Sequence, residues 1–350
     1  MSDEPVARIS AVMPAYNAAR FLPRVLPPLM AMRDRGELAE VIVVDDRSTD
    51  GTAELAREMG ARVLVTPVNG GPGAARNLAA AQAAGDILWF VDADVIAWED
   101  GARRIAEAFR DRRVDAVFGS YDAEPDAPGW LSRYRNLVHR FYHQGARREA
   151  STFWAGCGAV RKSAFLAVGG FDVETYRVPS IEDIELGYRI RRNGGRILLL
   201  PDLLGKHLKR WTMRGVIETD IFRRALPWAR LMIGREGLSD DLNTSRAERV
   251  RAGLAGLLML SLAALPFAPA LWPLPLGLLA TALLINRRLF AFLFAHGGWG
   301  VAVPGFLWHQ LYYVYSACAF VWCLVESWLG RHPHRPGPPG RPATRGTGAR

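Results

Sequence analysis

Residues 41–55 read VIVVDDRSTDGTAEL, an apolar run that ends in two carboxylates and continues through a polar turn into a helical pattern. The β-rich run predicts a strand at residues 41–45, and the spacing after it predicts a helix at residues 52–59. Similar patterns predict further strands at residues 9–13, 62–65 and 87–91, and further helices at residues 20–33, 74–84 and 100–110. This alternation is typical of an α/β domain whose mostly parallel sheet is flanked by helices.

Polar residues directly follow three of these strands, at residues 14–17, 45–46 and 92–94. Ligands in open α/β sheets bind beyond the carboxyl ends of the strands, so we expect all three groups along one rim. The rim residues are Pro14, Ala15, Tyr16, Asn17, Asp45, Asp46, Asp92 and Asp94.

Asp92 and Asp94 lie one residue apart at the end of the apolar run 87–91. Hard cations such as Mg²⁺ and Mn²⁺ take oxygen ligands, and they absorb the charge that develops on a leaving diphosphate. Such a pair on its own is often a solvated turn. Its position after a strand favours a divalent-cation site instead.

A glycine-rich loop with the sequence NGGPGAARN at residues 69–77 opens the third helix. Its amides and Arg76 are therefore candidates to face a phosphate group, since helix N-termini attract anions. The loop lacks the lysine of a Walker loop, and the alternative is a tight turn with an incidental arginine.

Residues 180–193 predict a helix that begins at a Ser180 cap, with Glu182 and Asp183 in its first turn. The helix dipole favours carboxylates there, so capping alone is sufficient to explain the pair. A strand at residues 197–200 and a basic, aromatic stretch at residues 206–235 follow.

Residues 252–285 contain no charged side chain, a length that predicts membrane insertion. Four prolines within this run favour a hairpin of two short helices, with Arg287 and Arg288 back on the cytoplasmic side. A third crossing is expected within residues 301–325, although two crossings are the alternative. The start of the chain lacks the pattern of a signal peptide, so we expect the preceding domain in the cytoplasm.

The formal charge of +9 comes mainly from arginine, which is weak evidence for nucleic-acid binding, and we predict none. An anionic membrane surface is the more natural partner of the arginine-rich segments, although solvated surface arginines are the alternative. The three cysteines are too scattered for a disulfide framework or a CxxC metal site.

Four motifs, taken in order, resemble the family 2 glycosyltransferases of GT-A fold over residues 8–211. They are PAYN at 14–17, VVDDRSTDGT at 43–52, GPGAARN at 71–77 and DAD at 92–94. The resemblance implies a nucleotide-sugar site and a cation bound by Asp94, with Asp92 touching the nucleotide. The sequence departs from the family at Arg47, where glycine is most common. The nucleotide-sugar site would comprise Pro14, Ala15, Tyr16, Asn17, Asp45, Asp46, Gly73, Arg76, Asn77 and Asp92.

Two later segments are similar to the acceptor side of the same family. The loop WAGCGA at residues 154–159 would admit the acceptor, and the resemblance makes Asp183, beside Glu182, the general base of an inverting displacement. Residues 207–211 resemble an element of processive synthases, but His207 replaces the expected Gln or Arg and is a further candidate metal ligand. The acceptor residues would be Trp154, Gly156, Cys157, Arg210 and Trp211.

We therefore predict a GT-A nucleotide-sugar transferase domain at residues 1–211 and basic amphipathic interfacial helices at residues 212–251. A transmembrane module of two to three helices at residues 252–330 and a disordered basic tail at residues 331–350 would follow.

The functional hypothesis is a Mg²⁺- or Mn²⁺-dependent inverting transferase at the cytoplasmic face of the cell membrane, anchored by several crossings. It would move a sugar from a UDP- or GDP-sugar to a lipid-linked or cell-envelope glycan acceptor. One alternative is a polyprenyl-phosphate sugar synthase, whose phosphate acceptor needs little base catalysis. The other is an inactive membrane scaffold that binds nucleotide-sugars.

Overall fold

A mixed nine-stranded sheet forms the centre of the described residues, 7–237 and 244–330, in this computed structural model. Its spatial order is β3-β2-β1-β4-β8-β6-β9-β5, with β7 beside β9. The strands are β1 (Ile9–Ala15), β2 (Glu40–Asp45), β3 (Arg62–Val65), β4 (Ile87–Val91), β5 (Val95–Ala97), β6 (Ala116–Tyr121), β7 (Glu149–Ala150), β8 (Cys157–Arg161) and β9 (Ile197–His207). The tail predicted at residues 331–350 lies outside the described residues.

Helices cover both faces of this sheet, which confirms the predicted α/β class. They are α1 (Leu22–Asp34), α2 (Thr52–Glu58), α3 (Gly71–Gln82), α4 (Gly101–Ala108), α5 (Trp130–Gly145), α6 (Lys162–Ala167) and α7 (Glu182–Arg192). The strand β4 is buried along its whole length, and its side chains alternate between two cores. Trp89 enters the core beneath α1, whereas Phe90 packs in the core on the opposite face.

The prediction of a mostly parallel sheet is wrong for the second half of the domain. The pairs among β1 to β4 are parallel, but β8 runs antiparallel to both β4 and β6. The strand β8 is placed between β4 and β6, so strands distant in sequence become neighbours. Local hydrophobic patterns do not report that arrangement.

Gly119 allows β6 and β9 to approach each other closely where their register shifts. A Cβ atom at Gly119 would lie 1.9 Å from the Leu203 carbonyl oxygen. We expect Gly119→Ala to lower the free energy of unfolding by about 1–3 kcal/mol, because backbone atoms must move. Urea denaturation measures this change. Gly145→Ala is the control, since a Cβ there meets no atom within 4 Å; equal stability of the two variants would contradict the close approach.

The C-terminal half of the chain is helical and packs against α5. Its helices are α8 (Met213–Glu218), α9 (Leu226–Leu231), α10 (Arg246–Ala264), α11 (Pro273–Ile285), α12 (Arg287–Gly297) and α13 (Trp299–Trp328), and π-helical turns follow α8 (Thr219–Ala225) and α9 (Met232–Glu236). Leu137 of α5 is buried in one apolar cluster with Leu293 and Ala302. This cluster attaches α12 and α13 to the sheet domain.

Within residues 7–237 and 244–330, no single helix is both long enough and apolar enough to cross a membrane. The segments Pro269–Ile285 and Arg287–Gly297 satisfy the criteria together but are bent by 70° at their junction. The predicted module of two to three membrane-spanning helices is therefore not shown, and it stays a prediction. The charge-free run does divide into two helices, α10 and α11, at the expected proline cluster.

Candidate functional site

A cavity of about 1170 Å³ lies between the carboxyl ends of β1 and β4 and the helices α5, α9, α10 and α13. Predicted site residues from distant parts of the chain meet in its wall. They are Pro14, Ala15, Tyr16, Asp46, Arg76, Asp92, Asp94, Trp154, Gly156, Glu182, Asp183, His207 and Trp211. The sheet edge is therefore the place where the predicted donor and acceptor residues converge.

Six other predicted site residues lie behind this wall or away from it: Asn17, Asp45, Gly73, Asn77, Cys157 and Arg210. Asn17 accepts a hydrogen bond from the Thr49 amide at 2.9 Å, and Asn77 bridges the backbone of Phe171. Cys157 is fully buried in β8. These three residues shape the loops and the sheet beneath the cavity.

Asp45 combines a bonded carboxylate oxygen with an unsatisfied one. Its Oδ2 atom accepts from the Ser48 amide at 3.2 Å, whereas its buried Oδ1 atom has no hydrogen-bond partner among the residues described. An unpaired acceptor of this kind costs free energy unless a ligand or water donates to it. Because Asp45 is buried and does not line the cavity, its carboxylate supports the turn at residues 45–48.

Arg47, the departure from the family pattern, adopts a left-handed backbone conformation with φ of 65°. Glycine occupies this region without steric cost, whereas other residues are strained there. The Arg47 guanidinium donates to the Pro67 carbonyl oxygen at 2.7 Å, which holds the turn in place. The substitution thus keeps the backbone conformation of the turn.

The amides of the glycine-rich loop are occupied by Asp46. Gly70 and Gly71 donate to its two carboxylate oxygens at 2.9 and 2.7 Å, and the Thr66 hydroxyl donates at 2.7 Å. The expectation that these amides face a phosphate is wrong for Gly70 and Gly71. An internal carboxylate takes the anion position at the start of α3, where the helix dipole favours it.

Arg76 is a buried cation between carboxylates. Its Nη2 atom lies 2.5 Å from Asp92 Oδ1, and its Nη1 atom lies 3.9 Å from Glu182 Oε1. Burial raises the pKa of both carboxyl groups, and Arg76 partly opposes that shift. Arg76 therefore neutralises the charge of these two carboxylates, and its guanidinium is not free to bind a phosphate.

Asp183 is held at the start of α7 by two backbone amides. The Ala155 amide donates to its Oδ2 atom at 3.1 Å, and the Ile184 amide donates to its Oδ1 atom at 2.8 Å. Burial raises the pKa of this carboxyl group, and the two amides partly oppose the shift. A carboxylate that is fixed in position and has a raised pKa suits a general base.

The prediction that Ser180 caps this helix is wrong. The helix α7 begins at Glu182, with Ile181 at the N-cap position. The Ser180 hydroxyl instead donates to the Arg223 carbonyl oxygen at 2.7 Å. Ser180 therefore connects the start of α7 to the π-helical turn after α8.

Asp94 lies beside His207, with 3.6 Å between Oδ2 and Nε2. Burial alone would raise the pKa of Asp94, but the neighbouring His207, Lys209 and a backbone hydrogen bond together lower it. Of the pair Asp92 and Asp94, Asp94 thus has the lower pKa. The imidazole of His207 stacks on Tyr121, with 4.4 Å between ring centroids and planes 7° apart.

The residues around Asp94 would suit a hard cation that takes its remaining ligands from oxygen atoms of the bound substrate. Residues 7–237 and 244–330 contain no group of three or more His, Cys, Asp or Glu side chains arranged to hold a metal ion by themselves. Mg²⁺ is commonly held by one or two carboxylates together with substrate phosphates. Asp94 supplies the ionised carboxylate, whereas Asp92 already binds Arg76.

The sequence analysis did not predict a cluster of aromatic and imidazole rings that lies beside Asp94. His139 lies 4.4 Å from Tyr121, 3.9 Å from His143 and 4.5 Å from Trp154, measured between ring centroids. Burial and the neighbouring His143 hold the pKa of His139 well below its usual value. The spacing of four residues between the two histidines on α5 was the available signal, because it places both on one helix face.

Asp220 links three elements around the cavity. It lies on the π-helical turn after α8, is buried, and pairs with Arg135 of α5 at 2.7 Å. The Tyr315 hydroxyl of α13 donates to it at 2.5 Å. These contacts fix the helical wall of the cavity against the sheet domain.

The site can be compared with known proteins. Residues 10–169 match the sequence profile described as glycosyl transferase family 2. The chain is similar to the 4,4'-diaponeurosporenoate glycosyltransferase of Staphylococcus haemolyticus, with 44% identity over 26% of this chain and 25% of that protein. An N-acetylglucosaminyltransferase of Mesorhizobium japonicum is 26% identical over 65% of this chain and 57% of its own. The chain therefore spans only about a quarter to a little over half of these two relatives.

A structural comparison supports the fold alone. The crystal structure of GalNAc-T7 with UDP, GalNAc and Mn²⁺ matches 72% of this chain and 51% of its own, with a TM-score of 0.51 and 17% identity. Together with the profile match, this similarity identifies the sheet domain as GT-A-like. Residues 10–169 of the chain are thus similar to glycosyl transferase family 2 in sequence.

Proposed function

We propose that this protein transfers a sugar from a nucleotide-sugar to an acceptor, with inversion at the anomeric carbon. The observation that carries the proposal is the Asp183 carboxylate, which two backbone amides hold in the same cavity as Asp92 and Asp94. In-line displacement needs a base on one side of the sugar and a stabilised leaving group on the other. The cavity contains candidates for both functions.

In this proposal, different residues of the chain have different roles in the reaction. Asp183 accepts the proton of the acceptor hydroxyl as that oxygen bonds to the anomeric carbon and the diphosphate leaves. Tyr16 and Asp46 would contact the nucleotide, with Asp45 behind them, and Trp154 and Trp211 would contact the acceptor. Mg²⁺ or Mn²⁺, held mainly by Asp94, would neutralise charge on the diphosphate.

We further propose that the reaction takes place at the cytoplasmic face of a membrane, on a lipid-linked or cell-envelope glycan acceptor. The helices α10 to α13 support this placement, because several of their large apolar side chains are exposed, among them Leu260, Leu284 and Trp322. Contiguous exposed apolar surface marks binding to proteins or membranes. The alternatives are a polyprenyl-phosphate acceptor and a protein that binds the donor without turnover.

A panel of UDP- and GDP-sugars, incubated with the full-length protein in nanodiscs, tests the proposed activity. We expect release of UDP or GDP from at least one donor, dependent on Mg²⁺ or Mn²⁺ and abolished by EDTA. Calorimetry on the same panel reports donor binding. Binding without release in any mixture of lipid and glycan acceptors would support the inactive scaffold.

A further inference from the structure

We propose that the acceptor is an amphiphilic alcohol whose hydroxyl reaches Asp183 and whose apolar tail lies between α9, α10 and α13. This inference rests on the proposed transferase function and names the acceptor class. The carboxylates at the sheet edge and the apolar helical wall line the same cavity. A single acceptor molecule is therefore able to contact both ends.

The size of the cavity exceeds what a nucleotide-sugar requires. Its volume of about 1170 Å³ lies above the usual range of small-molecule sites, roughly 300–1,000 Å³. The part beyond Asp183 runs past Trp228 and Ala229 of α9 to the facing surfaces of α10 and α13. This extra space leads away from the sheet edge and into the helices.

The far wall is made of apolar and small side chains. The lining includes Ala252 and Gly253 of α10 and Ala317, Phe320 and Val321 of α13, together with Arg249 and Ser316 of the same helices. An alkyl or prenyl chain gains about 25 cal/mol for each Å² that such a surface removes from water. The wall thus suits a hydrocarbon chain better than a glycan.

Several polar groups near this wall already satisfy one another. Glu248 accepts hydrogen bonds from Tyr142 and Tyr313, both at 2.7 Å. His309 lies 2.7 Å from the Tyr134 hydroxyl. A ligand there needs no hydrogen-bonding groups of its own, as expected for a hydrocarbon tail.

The fixed Asp183 carboxylate at the reactive end favours a hydroxyl acceptor, which needs a base, over a phosphate acceptor, which needs little base catalysis. Asp92, Asp94, Glu182 and Asp183 line this end, and the buried Arg76 is paired with two of them. Two further arginines of the cavity are paired, Arg135 with Asp220 and Arg223 with Glu218, and the cavity is also lined by Arg177, Lys209, Arg224 and Arg249. A phosphate acceptor would add its charge to four carboxylates, whereas an alcohol adds none.

Gly253→Leu tests the inference, with Gly256→Leu as a matched control one turn away on α10. A Cβ atom meets nothing within 4 Å at either position, but only Gly253 lines the cavity. Both substitutions replace glycine by a better helix former, so their effects on helix stability are similar. The variants differ in whether the new side chain fills the proposed tail site.

The probe is a photoreactive long-chain alcohol, applied to the full-length protein in nanodiscs, with labelled peptides identified by mass spectrometry. We expect labelling of α10 and α13, and a concentration for half-maximal labelling about tenfold higher in Gly253→Leu, a loss of roughly 1.4 kcal/mol. Gly256→Leu should label like the wild type. Dodecanol should compete for the site better than dodecyl phosphate.

Labelling outside these helices, or equal labelling of both variants, would overturn the tail site. Stronger competition by dodecyl phosphate would overturn the hydroxyl assignment. Nucleotide release from the donor panel is measured in parallel. If the protein releases nucleotide but Gly253→Leu is labelled like the wild type, the proposed acceptor class is refuted and the transferase function is not. If no donor in the panel yields free nucleotide, the transferase function is refuted.

Discussion

Asp183→Asn is expected to lower the turnover number for sugar transfer by about 10²–10⁴-fold, the usual contribution of a general base. The amide side chain cannot accept the proton of the acceptor hydroxyl at neutral pH. It also cannot accept hydrogen bonds from both Ala155 and Ile184, because only one of its two terminal atoms is an acceptor. Steady-state kinetics with a donor found in the panel measures the loss, and calorimetry should show donor affinity within about twofold of the wild type.

The chain offers a matched control in Asp172. This carboxylate also accepts two backbone amides, from Glu174 and Thr175 at 3.2 and 2.9 Å, but it does not line the cavity. Asp172→Asn perturbs a comparable turn and should leave turnover unchanged. Near-normal turnover in Asp183→Asn would refute its role as the base.

Arg76→Met should lower the free energy of unfolding by about 3–5 kcal/mol, because it leaves two buried carboxylates without their cation. Asp92 and Glu182 would then be stabilised mainly by protonation. Their pKa values are already raised by burial, and loss of Arg76 raises them further. A carboxyl group with a raised pKa in the folded state destabilises the fold as pH increases. The loss in the free energy of unfolding should therefore be largest at alkaline pH and decrease as pH falls.

Urea denaturation across a pH series measures both effects. Arg62→Met is the control, because Arg62 pairs with Glu40 at 2.8 Å on the surface, with its side chain 43% exposed. Exposed pairs of this kind contribute about 0–1 kcal/mol. Equal losses in the two variants, or a loss in Arg76→Met that does not change with pH, would contradict the central role of Arg76.

The first half of the sheet could be predicted because its signals are local. The strand β4 is a continuous apolar run that ends at a carboxylate, and β3 and β4 have the predicted bounds. Parallel pairing with β1 then brings the ends of β2 and β4 to one edge, which explains why Asp46 and Asp92 were expected near each other. Periodicity and turn residues are sufficient for this part of the fold.

Contacts between distant segments explain the rest. The spacing of His139 and His143 on α5 places them on one helix face, but His139 meets Trp154 and Tyr121 only after the chain folds. Ser180 has the residue type of a helix cap, but its hydroxyl donates to the carbonyl oxygen of Arg223, 43 positions along the chain. The roles predicted for the rim residues stay predictions, because geometry alone does not assign catalysis.

The cavity described above has two walls that come from separate stretches of the chain. In the proposed reaction, the carboxylates near the donor follow strands of the sheet, whereas the small and apolar residues proposed to hold the acceptor tail lie on α9, α10 and α13. Evolution is therefore able to change one substrate by mutations that leave the other binding surface intact. A lineage that enlarges or narrows the gap between α10 and α13 would acquire a new acceptor while retaining its ancestral nucleotide-sugar.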